Sequence, residues 1–235
     1  MLLSSGDQSF DDAAATFGDS PEYGEHKAYG TNNSYSVMPN TIVSGAAKRS
    51  VFAILNRTTD DNTDGIFSCD DGAAGTANGE RWSFAFSGGD LRIEIAGGGH
   101  TTALAVATGR DVAVGISFDG TNLGGHTLYR QYLDTGDYAT ESSSGSNTVN
   151  TALENIYMGC YLDTGGGRSL SGALYDCWLF DGELTEDEFL SLAANPYQIV
   201  KKRRKYGVLP TAAAPTGFQA AWAMSSKRSG LIGAR

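Results

Sequence analysis

The most constraining feature of this chain is a long apolar run near its C-terminal end, which is followed by a helix signal and a proline. Apolar groups occupy both alternating faces of residues 170–180, which predicts a central strand covered above and below. Thr185 and Glu188 form a capping-box pattern, which predicts a short helix starting after Thr185. Asn195, in a left-handed conformation, and Pro196 are predicted to end it. The pattern indicates a sheet sandwich with one short helix.

Glycine clusters divide the rest of the chain into short apolar runs, which is typical of all-β proteins. The chain has 31 glycines among 235 residues, many in pairs or triplets at turn-like intervals. A single β-sandwich domain commonly uses this length. Two alternating runs joined by residues 87–90 predict a β-hairpin. The predicted strands are residues 35–38, 50–56, 66–69, 81–86, 91–95, 101–106, 111–118, 128–133, 155–162 and 170–180.

Charge is divided sharply along the chain. Residues 201–235 contain eight Lys and Arg and no Asp or Glu, whereas the preceding residues hold nine basic against 27 acidic ones, a formal charge of −18. We therefore predict an N-terminal arm or edge segment at 1–33, a β-sandwich at 34–200 and a basic C-terminal arm at 201–235. This division predicts electrostatic docking of the arm on an acidic surface or on nucleic acid, and the acidic body opposes nucleic acid.

The C-terminal arm combines a basic run with two aromatic residues, so it is the predicted partner-binding segment. Solvated tails rarely carry aromatic side chains. We expect the two aromatic residues to anchor the arm on a neighbouring surface, with their own sandwich as the alternative. The predicted partner-binding residues are Lys201, Lys202, Arg203, Arg204, Lys205, Phe218 and Trp222.

Neither a secretory signal nor a membrane span is recognisable. The first residues lack a basic and an apolar region, and no window approaches the roughly 18 apolar residues of a membrane span. We expect a soluble protein that is made and kept in the cytoplasm unless it leaves in a particle or by lysis, and we expect no membrane partner. Cys69, Cys160 and Cys177 are odd in number and lack Cys-x-x-Cys spacing, so buried free thiols are expected rather than disulfides or a zinc site.

Catalytic motifs are not recognisable, and we expect the protein not to be an enzyme. No Gly-x-Ser-x-Gly motif is present, and no cysteine has a suitable histidine context. His26, His100 and His126 are far apart in polar or glycine-rich stretches, which predicts surface histidines. Residues 141–147 are low in complexity and are predicted to form a mobile loop.

Several acidic residues are candidates for catalytic groups or for metal ligands. Glu94 stands alone between two isoleucines and is predicted to be solvated. Asp176 should share a face with the apolar residues two positions away, so a hydrogen-bonded structural role is expected. Asp60, Asp61 and Asp64 lie in an oxygen-rich stretch that is similar to calcium loops, with a solvated turn as the alternative. No other cofactor is expected.

Three passages resemble the concanavalin A-like lectin and glucanase jelly roll, in particular its laminin-G-like group. They are residues 81–86 with 91–95, residues 111–121, and residues 170–180 with 184–190. The group usually has a strand ending in Val-Asp-Gly after the second passage, whereas this chain has Gln-Tyr-Leu-Asp-Thr-Gly at 131–136. The resemblance implies a jelly-roll sandwich of two antiparallel sheets, to which the composition of the chain adds extended terminal arms, and it specifies fold better than ligand.

The chain ending is similar to the C-termini of laminin-G-like proteins of tailed bacteriophages, through Ala-Asn-Pro-Tyr-Gln-Ile at 194–199 and Phe-Gln-Ala-Ala-Trp at 218–222. The acidic pattern of the hydrolytic relatives is missing. The resemblance implies virion attachment or sugar recognition. Because an acidic body stands beside a basic arm with aromatic anchors, we predict a non-catalytic virion structural protein of a tailed phage, a head decoration or cement protein whose arms bind the major capsid protein or neighbouring copies in a homo-oligomer. The alternative is a carbohydrate-binding receptor-recognition module of a tail or fibre. Tyr138 and Tyr161, which we expect in exposed loops, would then stack on a surface glycan, with packing residues as the alternative interpretation of both tyrosines.

Overall fold

The computed structural model describes residues 16–19, 27–31, 36–39, 44–60, 64–70, 80–95, 97–151, 155–160 and 169–196, the first three ranges as backbone alone. Contacts divide the chain into two units, Met1–Pro196 and Tyr197–Arg235. The second unit, with the predicted basic arm, lies outside the described residues. No helix in the described part of the chain is long and apolar enough to cross a membrane.

The described chain forms two antiparallel sheets and one α-helix, which confirms the predicted all-β sandwich. The strands are β1 (Thr16–Asp19), β2 (Lys27–Thr31), β3 (Ser36–Pro39), β4 (Arg49–Arg57), β5 (Gly65–Asp70), β6 (Trp82–Ser87), β7 (Asp90–Ile95), β8 (Gly98–Ala105), β9 (Asp111–Phe118), β10 (His126–Tyr132), β11 (Tyr138–Ser142), β12 (Asn155–Met158) and β13 (Gly172–Phe180). Helix α1 (Glu186–Ala194) follows β13. One sheet has the order β1-β2-β13-β4-β9-β10-β11, and the other has the order β3-β12-β5-β6-β7-β8.

Every predicted strand corresponds to an observed one, but three observed strands were not predicted. Strands β1 and β2 lie within the predicted N-terminal segment 1–33, at one edge of the seven-stranded sheet. Strand β11 forms the opposite edge, and its side chains are partly or fully exposed. An edge strand without a buried face has no clear apolar alternation, so periodicity does not detect it.

The space between the two sheets is filled by alternating side chains from both inner faces. Trp82, Phe84 and Phe86 of β6 are fully buried there. Strands β6 and β7 are joined by Gly88 and Gly89, with φ angles of 60° and 94°. These positive angles suit glycine and the twist of a two-residue hairpin turn. The predicted hairpin is therefore confirmed.

A β-bulge at Tyr175 decides which faces the side chains of β13 occupy. Leu174 and Asp176 pair with successive residues of β4, so one extra residue lies between them. Leu174 consequently packs between the sheets, whereas Trp178 packs on the outer face and Asp176 shares that face. The prediction that alternation continues through Asp176 was wrong. The bulge keeps a carboxyl group out of the apolar space between the sheets.

Helix α1 begins as predicted, but its end differs. The Thr185 hydroxyl accepts a hydrogen bond from the Glu188 amide at 3.3 Å, and the Glu188 carboxylate accepts one from the Thr185 amide at 2.9 Å. This reciprocal pair is the predicted capping box. Asn195 has a φ of −154°, so the predicted left-handed conformation was wrong. Its amide instead donates to the Ser191 carbonyl at 3.0 Å.

Helix α1 covers part of the outer face of the seven-stranded sheet through Phe189. The Phe189 ring lies 5.6 Å from the Phe52 ring and 5.0 Å from the Tyr129 ring, between centroids. Gly115 lies beneath it, and a Cβ atom at this position would be 2.9 Å from the Phe189 ring. The missing side chain thus lets the helix approach the sheet closely.

A polar network is buried at one end of the inter-sheet core, around His126. Trp82 Nε1–H donates to His126 Nε2 at 2.9 Å, and His126 Nδ1 lies 2.8 Å from the Leu123 carbonyl. The imidazole stacks on Phe118 at 4.4 Å. Burial lowers the pKa of His126 to about 4, and the Arg49 guanidinium contributes. The prediction of a surface histidine was wrong here, because His126 is 1% exposed.

Candidate functional site

Beside the residues that α1 buries, the outer face of the seven-stranded sheet carries a group of partly exposed polar and aromatic side chains. They lie where β4 ends, where β9 and β11 begin, and where β10 ends, and they include the bulged residue of β13. This arrangement brings side chains from five strands to one surface. We call this surface the tyrosine patch, and it consists of Asn56, Asp111, Gln131, Leu133, Tyr138 and Tyr175.

One part of the tyrosine patch is held rigidly by hydrogen bonds to Asp111. The Asp111 Oδ1 atom accepts from Asn56 Nδ2 at 2.8 Å and from the Tyr175 hydroxyl at 3.1 Å. Asn56 and Asp111 are paired directly across β4 and β9. A carboxylate with two fixed donors orients the Tyr175 ring over the sheet. This part of the patch is therefore preorganised.

A second part of the tyrosine patch has unused hydrogen-bonding capacity. Gln131 and Tyr138 are directly paired across β10 and β11. The Gln131 Oε1 atom and the Tyr138 hydroxyl are both shielded, and neither makes a hydrogen bond of ordinary length and angle with a described residue. Thr140 and Glu186 nevertheless lie close enough to the Tyr138 hydroxyl to act on its pKa. Burial raises the pKa of Tyr138, with a further contribution from the Glu186 carboxylate. Shielded polar atoms without a partner are costly, so a ligand or water that bonds to them is favoured.

The sequence-predicted ligand residues are only partly described. Tyr138 lies in strand β11 rather than in an exposed loop, and its ring is 6.0 Å from that of Phe189. The expectation that it is a loop residue was wrong, whereas its role in ligand binding stays a prediction. Tyr161 lies outside the described residues, as do the partner-binding residues Lys201, Lys202, Arg203, Arg204, Lys205, Phe218 and Trp222.

The predicted calcium residues contact a buried arginine. Arg57 is fully buried, and its Nη1 lies 3.3 Å from Asp60 Oδ1 while its Nε lies 4.0 Å from Asp64 Oδ2. Asp61 lies outside the described residues. Within the described ranges, no three His, Cys, Asp or Glu side chains converge to hold a metal ion. The guanidinium supplies positive charge to both carboxylates, and calcium binding stays a prediction.

The six-stranded sheet carries a separate polar cluster on its outer face. Glu94 forms ion pairs with Arg81 and with Arg92, the latter at 3.0 Å, and its side chain is 17% exposed. The prediction that Glu94 is solvated was therefore wrong, because its side chain is mostly shielded and forms ion pairs. Arg92 also donates to the Thr101 hydroxyl at 2.7 Å. The hydrogen-bond donors of Arg92 are engaged within the cluster. The cluster therefore has fewer free hydrogen-bonding groups for a ligand than the tyrosine patch has.

Sequence reasoning named one of the six patch residues and missed five. Asn56, Asp111, Gln131, Leu133 and Tyr175 each lie on a predicted strand. A polar residue at a strand end is an ordinary solvent-exposed position, so none of them carries a signal by itself. Only the order of the strands in the sheet shows that they meet.

All three cysteines are free and buried, which confirms the expected buried thiols. Burial raises the pKa of the Cys177 thiol. A thiol in such an environment stays protonated and is a poor nucleophile. The cysteines are therefore structural in the described part of the chain.

Comparison with solved structures finds a similar β-sandwich fold in several glycosidase structures. One of these structures is domain 4 of AbnA, a GH43 extracellular arabinanase from Geobacillus stearothermophilus, in complex with arabinotriose. Its superposition on this chain has a TM-score of 0.54 at 13% sequence identity, and it covers 77% of this chain and 82% of the arabinanase domain. A GH54 α-L-arabinofuranosidase has a TM-score of 0.57 and 12% identity, over 72% of this chain and 40% of that one.

A sialidase of Trypanosoma rangeli in complex with sialic acid has a TM-score of 0.54 and 11% identity, over 79% of this chain and 29% of that one. This chain therefore spans less than half the length of the arabinofuranosidase and of the sialidase. No protein-family model matches the sequence, and no curated protein matches it. At these identities the likeness shows the fold alone.

Proposed function

We propose that this protein is a carbohydrate-binding β-sandwich that holds a glycan on the tyrosine patch. Tyrosine rings offer flat apolar surfaces with a polar tip, which suits the apolar face and the hydroxyl rim of a sugar ring. Asn, Gln and Asp side chains offer planar donors and acceptors that match neighbouring sugar hydroxyls. Support for this class of ligand comes from the fold, because the structures similar to this chain include sugar-binding domains.

The single observation that carries this proposal is the pair of unused polar atoms on Gln131 and Tyr138. Both atoms are shielded, and neither makes a hydrogen bond of ordinary length and angle with a described residue, although Thr140 and Glu186 lie near the Tyr138 hydroxyl. Because both atoms are closed to solvent in this conformation, a sugar reaches them only after the Gln131 and Tyr138 side chains turn outward. One sugar hydroxyl can then donate to Gln131 Oε1 while another accepts from the Tyr138 hydroxyl. Neither of these hydrogen bonds to the sugar requires an existing hydrogen bond within the protein to break.

The test is a glycan array followed by calorimetry with the best ligand. Gln131→Ala should weaken binding by roughly tenfold, because it removes one acceptor from a shielded site. Tyr138→Phe should have a similar effect while it keeps the ring. The matched control is Asn150→Ala, since Asn150 is an exposed amide outside the patch. An array without signal contradicts the proposal, and equal affinities of all variants contradict this location.

The second candidate is attachment to another protein through the basic segment 201–235, as in a virion decoration protein. Its support is the division of charge, with eight Lys and Arg and no acid in this segment, together with the sequence resemblance. Deletion of 201–235 should then abolish attachment to purified particles. Attachment should also weaken as salt rises from 0.05 to 0.5 M, because the charges of exposed arms are screened. Unchanged particle occupancy after the deletion contradicts this candidate.

A further inference from the structure

On one open side of the sandwich, the edge strands β8 and β11 bring together a serine, a histidine and a glutamate. Ser144 Oγ lies 3.1 Å from His100 Nδ1, and His100 Nε2 lies 3.6 Å from Glu141 Oε1. The three residues are separated by up to 44 positions in the sequence, so sheet packing creates the contact. Their positions are outside the tyrosine patch.

The three side chains follow one another as hydroxyl, imidazole and carboxylate, which is the order that activates a serine as a nucleophile. A hydroxyl within hydrogen-bond reach of an imidazole can transfer its proton to the ring, provided the facing nitrogen is unprotonated. Glu141 favours the tautomer with the proton on Nε2, which leaves the Nδ1 lone pair directed at Ser144. The 3.6 Å between His100 Nε2 and Glu141 Oε1 is longer than a hydrogen bond, and Nε2 has no hydrogen-bond partner among the described residues. Catalytic contacts of this kind commonly tighten when substrate binds.

Glu141 and the serine loop are both held in place. The Glu141 Oε2 atom accepts a hydrogen bond from the Ala103 amide at 2.8 Å. The Gly124 amide donates to the Gly145 carbonyl at 2.8 Å, and Asn147 Nδ2 donates to the Gly97 carbonyl at 3.2 Å. The loop predicted to be mobile is thus hydrogen-bonded to both neighbouring segments. Fixed positions of this kind reduce the entropy cost of reaching a reactive geometry.

The two amide groups that follow Ser144 are candidate donors to an oxyanion. Neither the Gly145 amide nor the Ser146 amide donates a hydrogen bond to another described residue. Gly145 has a φ of 131°, a conformation that a residue with a side chain rarely adopts. An amide directly after a nucleophilic serine is a common oxyanion donor. Ser144 itself is exposed, so a bulky substrate can reach it.

We propose that Ser144, His100 and Glu141 form a nucleophilic site that hydrolyses carboxylic esters. Ser144 Oγ forms a bond to the ester carbonyl carbon while its proton passes to His100 Nδ1, and the carbonyl oxygen becomes an oxyanion. The bond to the alkoxide breaks, and the alkoxide takes the proton from His100. Water then attacks the acyl-serine with His100 as base, which releases the acid and restores the serine.

This inference is independent of glycan binding, and it goes against the sequence expectation that the protein has no enzymatic activity. The first experiment is hydrolysis of p-nitrophenyl acetate by the full chain at pH 8. Ser144→Ala should lower the rate by at least about 100-fold, and His100→Gln should lower it by a similar factor. Ser142→Ala is the matched control, because Ser142 is exposed on β11 two residues away, and its rate should be unchanged.

The second experiment is covalent labelling with a fluorophosphonate, followed by peptide mass analysis. The expected result is one label at Ser144, and no label in the His100→Gln variant. Thermal unfolding of Ser144→Ala should match the parent chain, which separates loss of activity from loss of fold. A structural role of the cluster, joining the edges of the two sheets, predicts no label and an unchanged hydrolysis rate in Ser144→Ala. Either of these results overturns the proposal.

Discussion

Acid sensitivity of folding should depend on His126, because this imidazole is buried in its neutral form. Trp82 Nε1 donates to His126 Nε2, so this nitrogen must carry a lone pair and cannot accept a proton without losing the bond. Burial lowers the pKa of His126 to about 4, from an ordinary value near 6.5. Protons therefore bind first to the unfolded chain, and stability falls as pH drops from about 6.5 towards 4. Above pH 6.5 the full stability is present.

The expected loss from this one group is about 3 kcal/mol between pH 7 and pH 4. It can be measured by urea unfolding of the parent chain and of His126→Gln at pH 7, 6, 5 and 4. Glutamine has an acceptor for Trp82 and a donor for the Leu123 carbonyl but does not titrate. The contributions of all carboxylates are common to both chains, so they cancel in the difference. A stability difference that stays constant over this pH range would refute the reasoning.

Three further predictions concern packing, capping and thiol reactivity. Gly115→Ala should destabilise the fold by about 1–3 kcal/mol, because its Cβ would be 2.9 Å from the Phe189 ring; urea unfolding tests this, and an unchanged midpoint contradicts it. Thr185→Ala should lower the free energy of unfolding by about 1 kcal/mol in the same assay, because it removes the hydroxyl that accepts from the Glu188 amide. Thr185→Ser keeps this hydroxyl and should retain most of that stability. Cys177 should react with a thiol reagent only after unfolding; rapid reaction of the native chain at this residue contradicts its burial.

The hairpin of β6 and β7 and the start of α1 could be predicted because their signals are local. Gly88 and Gly89 supply the positive φ angles of a tight turn, and the sequences of the two strands beside them alternate large apolar residues with small or polar ones. Thr185 and Glu188 cap each other within one helical turn. In both places the residues that determine the structure are its neighbours in sequence.

The bulge in β13 and the burial of His126 could not be predicted in this way. Nothing in residues 170–180 shows that Tyr175 is the extra residue, since that depends on pairing with β4. His126 lies in a glycine-rich sequence that indicates a loop, yet it begins β10 and bonds to Trp82, 44 positions away. A distant partner offsets the cost of burying a polar ring, and no local pattern reveals that partner.

By itself the sequence determined the all-β class, the sandwich and the position of its single helix, because alternation, turns and caps act over a few residues. Only the tertiary structure decided which side chains share a surface. Asn56, Gln131 and Tyr138 meet on one face, and His100 meets Glu141, through the order and register of strands that are distant in sequence. Register is set by packing of the whole core, and a shift of one residue would turn each of these side chains to the opposite face.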